Sequence, residues 1–139
     1  MESYKGKLLI ARPNIQTPFF KHSVIYIYED VPEGTQGIML NKPTPFPVNN
    51  IFKHAGLDYG NESILVHKGG PLAPHSISLL HTNEWQSSNT LTGPQFSVSS
   101  DEFMIEKMAT GNEPQSWRIV GGLCGWAPGQ LQHEIDVQE

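Results

Sequence analysis

The sequence predicts an α+β protein: a largely antiparallel or mixed β-sheet core of about seven short strands, flanked by two to three helices. Three observations carry this. Short apolar runs recur with turn residues between them, and most follow one another with no helix in between, which favours antiparallel pairing over a doubly wound parallel sheet. Only three segments show a helix start or helical spacing of apolar residues. The 139 residues include 13 glycines and 11 prolines, so turns are many and elements short. A chain this long buries roughly two-thirds of its unfolded surface, enough for one core, so a single domain over 1–139 is expected.

The elements follow in order. Residues 6–12 read as the first strand, ended by Pro13, which offers no N–H to a ladder. Residues 14–18 form a loop. Residues 23–28 are apolar and aromatic on both faces, which predicts a buried central strand. Turn chemistry fills 29–34, and the short connection to a third strand at 37–41 predicts an antiparallel hairpin. Asn41, Lys42 and Pro43 end that strand. The prolines at 45 and 47 keep 44–47 extended. Val48, Ile51, Phe52 and Ala55 then recur at i, i+3, i+4 and i+7, a short amphipathic helix stopped by Gly56.

Strands are expected at 64–67 and 76–81, separated by the turn Lys68-Gly-Gly-Pro71. A polar loop surrounds Trp85, and two short strands follow at 90–92 and 96–98. Ser99 and Glu102 match a capping box, with Asp101 in the first turn of a helix whose Phe103, Met104, Met108 and Ala109 face the core. Gly111 stops it. The closing strand, 117–123, runs into a glycine-rich corner. Pro128 then opens a last helix, with Leu131 and Ile135 on one face.

The corner is the first candidate site. Gly121, Gly122, Gly125 and Gly129 let main chain approach another group closely, and a helix start offers N–H groups to an anion. The alternative is a structural turn with Trp126 packed across it. It is not a P-loop, since Gln130 and no lysine follows Gly129, and it lacks the dinucleotide spacing. Two other turns, at Asn41 and Lys42 and at Gly69 and Gly70, also place a lysine beside glycine or proline at a strand end. If they converge on the corner with His81, they form a polar cleft. The expected ligand-binding set is Asn41, Lys42, Gly69, Gly70, His81, Gly125, Trp126, Gly129 and Gln130. The alternative is ordinary solvated turns.

Other chemistry is less well supported. The histidines His22, His54, His67, His75, His81 and His133 match no compact metal motif, so no metal and no cofactor is expected. Cys124, the one cysteine, stands before a helix start. With His81 it would make a thiol or hydrolase-like enzyme, against the alternative of a small buried residue. No G-x-S-x-G occurs. The net charge of −5 opposes direct nucleic-acid binding. A lone cysteine, no signal-like start and no long apolar run predict a cytoplasmic protein without a membrane segment. The expected partner is a small anionic ligand or a protein tail.

Several stretches together resemble the AlgH/YqgE family of bacterial proteins. They are Gly6-Lys-Leu-Leu-Ile-Ala-Arg-Pro13, Phe20-Lys-His-Ser-Val-Ile-Tyr26, Gly37-Ile-Met-Leu-Asn-Lys-Pro43, Gly69-Gly-Pro71, His81 and Gly125-Trp-Ala-Pro-Gly-Gln-Leu131. The resemblance covers nearly the whole chain in order, and the last motif is the most specific. It implies an α+β fold with a β-rich core. It implies no catalytic residue, because the family's biochemical activity is unassigned, although family names mention transcriptional regulation. That label suggests a regulator acting through a protein partner. Where the family often has Arg this chain has Lys42, and where it has a small Ala or Ser this chain has Cys124. Members usually continue beyond the final motif, so a short version lacking the usual C-terminal tail is expected.

Overall fold

The computed structural model describes residues 3–10, 22–57, 64–101 and 103–136, with side chains in the last helix through His133. The elements are β1 (Leu8–Ile10), β2 (Val24–Val31), β3 (Gly34–Met39), β4 (Pro43–Pro47), α1 (Asn49–His54), β5 (Leu65–Lys68), β6 (Leu72–Thr82), β7 (Leu91–Thr92), β8 (Phe96–Ser99), α2 (Phe103–Ala109), β9 (Trp117–Trp126) and α3 (Gln130–Asp136). The order β1-β2-β3-β9-β6-β8-β7 forms one path, and β5 joins β4 to β9. Every pairing is antiparallel except the parallel β5–β9 pair, which matches the expected α+β class.

β9 is the central strand. Along one edge it pairs with β6, from Leu123 opposite Leu72 to Trp117 opposite His81. Along the other edge two strands follow in succession. Val120 and Gly121 pair with β5, then Cys124 to Trp126 pair with β3. The junction is tied by Met39 N–H donating to Gly69 O at 2.8 Å.

Alternation along β2 divides the core. Tyr26 and Tyr28 face a cluster with Ile38, Leu80, Val98 and Val120, inside the curl of the sheet. The curl brings β2 against β8, so that the Tyr26 hydroxyl donates to Phe96 O at 3.0 Å and the two rings meet edge to face. Ile25 and Ile27 face the other way, onto Met39, Cys124 and Leu131 of α3. On the remaining face, Val48 just before the first helix, Phe52 within it, and Met104, Ile105 and Met108 of the second pack on Leu79 and Ile119.

Several boundaries differ from the sequence expectations, each for a local reason. The β2–β3 hairpin turns at residues 32–33, because Thr35 and the N–H of Tyr4 bind the Asp30 carboxylate and carry the strand through the acidic stretch. The second helix is capped by Asp101, whose Oδ1 accepts from the N–H groups of Phe103 and Met104 at 2.9 and 3.0 Å. Ser99 lies in β8 instead, and the Glu102 half of the expected box is outside the described residues. The strand expected at 6–12 is described only as Leu8–Ile10, and the loop at 14–18 is also outside the described residues.

The closing strand does not stop at Leu123. It continues to Trp126, because its glycines face another main chain. A Cβ on Gly70 would overlap the Leu123 carbonyl and stand 2.6 Å from Cys124 N, and one on Gly122 would overlap Gly70 O. Gly69 and Gly70 therefore cross Gly122 and Leu123 backbone against backbone, a fit that requires residues without a Cβ at 69, 70 and 122.

Candidate functional site

The crossing decides where the expected site residues go. The turns at Asn41–Lys42 and Gly69–Gly70 do meet: Lys68 N–H donates to Lys42 O at 2.7 Å, and Gly69 N–H to Gly121 O at 2.7 Å. Their polar groups, however, serve the fold. The Asn41 side chain accepts from Val24 N–H at 3.0 Å and donates to His22 O at 2.8 Å, fastening the start of β2. Gly69 O accepts from Met39 N–H and from the Cys124 thiol.

The corner and His81 do not join these turns in one cleft. Gly125 and Trp126 are within β9, paired with Gln36 and Thr35 of β3. Gly129 and Gln130 lie beyond it, where the Gln130 side chain accepts from Ala127 N–H at 2.8 Å and closes the turn on itself. His81 pairs with Trp117, at the opposite end of β9 from Trp126. At ~3.3 Å per residue, roughly 25–30 Å of strand separates the two. The structure therefore does not gather these residues in one cleft: Gly69 and Gly70 lie against the main chain of Gly122 and Leu123, Gly125 lies against the Leu72 side chain, and Gly129 has nothing within 4 Å of its Cβ position.

His81 is 1% exposed. Its Nδ1 donates to Thr82 O at 2.8 Å, which leaves Nε2 to accept from the Ser99 hydroxyl at 2.7 Å. Ser99 Oγ in turn accepts from Thr90 at 2.7 Å, and the Trp85 ring stacks edge-on against the imidazole. Burial holds the His81 pKa below the ordinary histidine value, partly offset by the bond to Thr82 O and by Glu84. This is a neutral, fully bonded core histidine.

Cys124 pairs with Gly37, near the far end of β9, so it forms no dyad with His81. Burial pushes its thiol pKa up to about 12, which suppresses the thiolate that nucleophilic chemistry needs. Among the described residues, no group of three or more His, Cys, Asp or Glu converges to hold a metal ion.

A different site emerges beside the crossing. An open groove of about 1090 Å³ runs between α1 and β4 on one side and the first half of β6 on the other, with β5 and Gly121 beneath. Its floor is apolar: Val66 is buried, and Ile51, Pro47 and Ile77 are half-buried. Its rims are basic or aromatic. Lys53 and His54 stand exposed on α1, His75 on β6, Lys68 at the end of β5, and Phe46 is 61% exposed on β4. His67 lies half-buried in β5, its Nδ1 donating to Leu65 O at 3.2 Å. Burial and then Arg118 lower its pKa, against the raising effect of that bond. None of the described lining residues is acidic, although the chain carries 14 acidic residues against 9 lysines and arginines.

Of the expected binding set only Gly70 lines this groove. Lys53, His54, His67, His75 and Phe46 were missed. A signal for some of them exists: Asn50, Lys53 and His54 recur at i, i+3 and i+4, the polar face of the same helix whose apolar face was recognised. Nothing local places His75 opposite them, since that depends on the excursion of β6 between its pairings at Leu72 and Ile77, where Ala73 has a φ of +43°.

Fold and groove together define a small α+β protein with a curled, mostly antiparallel sheet and an apolar trough edged by basic side chains. Residues 8–139 match the family model described as AlgH-like (DUF179), and the chain belongs to that family. It is 33% identical over 138 residues to a UPF0301 protein of Marinomonas sp., covering 96% of this chain and 73% of that protein. It is 34% identical over 136 residues to a UPF0301 protein of Vibrio atlanticus, covering 91% and 72%. Its structure is similar to the solution structure of the AlgH protein from Pseudomonas aeruginosa, with a TM-score of 0.82, 25% identity, and coverage of 96% of this chain and 73% of that one. It also shares the fold of protein DIP2367 from Corynebacterium diphtheriae, with a TM-score of 0.77, 23% identity, and coverage of 100% and 74%. These names assign the family no biochemical activity. Among the described residues no helix is long and apolar enough to cross a membrane.

Proposed function

We propose that this chain is a small cytoplasmic binding protein with a regulatory role, and that the groove between α1 and β6 holds a ligand with both an apolar and an anionic part. One observation carries the reading: an apolar floor edged by Lys53, His54 and His75, with no acid among the described lining residues of an acidic chain. Apolar contact supplies affinity in such a trough, and the rim charges select and orient the ligand. The enzyme reading through Cys124 and His81 draws no support from the geometry, because both are buried and lie at different ends of β9. Direct nucleic-acid binding draws none from a net charge of −5.

The test uses anilinonaphthalene sulfonate, an apolar body with one anionic group, titrated into folded protein and read by fluorescence. The dye is expected to bind saturably. Lys53→Glu combined with His75→Glu should weaken it roughly ten-fold, since the first turns an attraction into a repulsion and the second puts a negative charge in place of a basic side chain on the opposite rim. Unchanged affinity in that variant would remove the groove from consideration.

A further inference from the structure

Resting on that reading, we infer that the natural occupant of the groove is an extended acidic segment of a protein partner, in which apolar side chains alternate with or are flanked by Asp and Glu. Three features favour a peptide over a compact metabolite. First, basic side chains sit on both rims, Lys53 and His54 on α1 and His75 across from them on β6. A ligand with one charged end would use one rim, whereas a segment with acids on either side of an apolar centre uses both. Second, several polar atoms near the floor are engaged internally: Thr44 Oγ1 donates to Val66 O at 2.7 Å, Gly121 O accepts from Gly69 N–H, and His67 Nδ1 donates to Leu65 O at 3.2 Å. Metabolite sites fix orientation with a few inward-facing polar groups, and this floor offers apolar contact instead. Third, a volume of about 1090 Å³ lies at the upper end of small-molecule sites, which span roughly 300–1,000 Å³.

The mode of recognition also follows from the strand that edges the groove. β4 carries Pro43, Pro45 and Pro47, which lack N–H donors and blunt strand addition. A partner is therefore read through its side chains. Phe46, 61% exposed between two of those prolines, offers an aromatic anchor for an apolar residue of the segment.

The experiment is isothermal titration calorimetry of the folded chain with an acidic hexapeptide bearing two central leucines, beside the same peptide with Gln in place of every Glu. Binding of the acidic peptide, at least roughly ten-fold weaker for the Gln peptide and for the Lys53→Glu, His75→Glu variant, and weakened by added salt, supports the inference. Phe46→Ala should weaken the acidic peptide while leaving the fold intact, because that side chain is mostly exposed. If the dye binds and is lost in the charge-reversed variant while neither peptide binds, the groove reading stands and the peptide inference falls. If neither dye nor peptide binds, both fall. If the peptides fail and the charge-reversed variant instead changes from dimer to monomer in sedimentation, the occupant is a second copy of this chain, which also overturns the inference.

Discussion

Replacing Gly70 by Ala tests whether Gly69, Gly70 and Gly122 lack side chains so that two backbones can cross. The added Cβ would overlap the carbonyl group of Leu123 and stand 2.6 Å from Cys124 N, where carbon contacts need ~3.5 Å or more. Neither side can yield as a side chain would, because both are main chain. Separating them strains the bonds from Gly69 N–H to Gly121 O and from Met39 N–H to Gly69 O, each worth about 1 kcal/mol. Overpacking in a tight interior adds about 1–3 kcal/mol, so the expected loss is about 3 kcal/mol or more. Gly129→Ala is the control. Gly129 has a φ of +78° but nothing within 4 Å of its Cβ position, so it bears only the left-handed backbone cost of about 1–2 kcal/mol. Urea unfolding followed by tryptophan fluorescence compares the two. Equal midpoints, or a loss below about 1 kcal/mol for Gly70→Ala, would refute the crossing as the reason for these glycines.

Other outcomes follow from single side chains. Asp101→Ala removes the cap of the second helix together with bonds from Ser87 and Asn89, and should cost about 1–2 kcal/mol in the same unfolding assay; a loss near zero would contradict the capping role. Burial pushes the Asp101 pKa up, but the bonds from Ser87, Asn89, Phe103 and Met104 outweigh it and hold the group below its ordinary value. Its stabilisation should therefore persist above the ordinary Asp range and fade only as the pH falls through the lower folded value. His81 acts in a higher window. Its folded pKa is lowered, so the unfolded chain takes up the proton first, and stability should be full above about pH 6.5 and decline as the pH falls below it. Urea midpoints from pH 7.5 to 5 should drop, and His81→Gln should remove part of the slope, with His67 retaining the rest; a slope untouched by His81→Gln would show that the imidazole is not buried as described. The Cys124 thiol should stay unreactive toward a disulfide reagent at pH 8 until the protein unfolds, and reaction of the native protein at a free-thiol rate would contradict its burial.

The class of fold was legible because its signals are local. Alternation and doubly apolar runs mark β2 and β8, Asp101 sits where a helix begins, and the spacing from Val48 to Phe52 marks one helix face. What the sequence concealed depends on long-range pairing. The sequence starts the β6 strand only at Ser76, after the turn at 68–71, whereas the strand begins at Leu72, where pairing with Leu123 of β9 starts it before an irregular stretch with Ala73 at positive φ. Glycines at 69, 70, 121 and 122 announce close approach but not of what, and another backbone gives the same signature as a ligand. His81 was placed at a strand end, where exposure is common, yet α2, Trp85 and β8 close over that end of the sheet. The groove itself is assembled from five elements, α1, β4, β5, β6 and β9, and only the polar face of α1 hints at it.

The most direct test of the groove as the binding surface is amide chemical-shift mapping of the isotope-labelled chain during titration with the acidic hexapeptide. Shifts concentrated at Phe46, His54, His67 and His75 are the predicted result, with residues 127–130 unmoved. Shifts concentrated at residues 127–130 and along α3, with the α1–β6 trough silent, would contradict it.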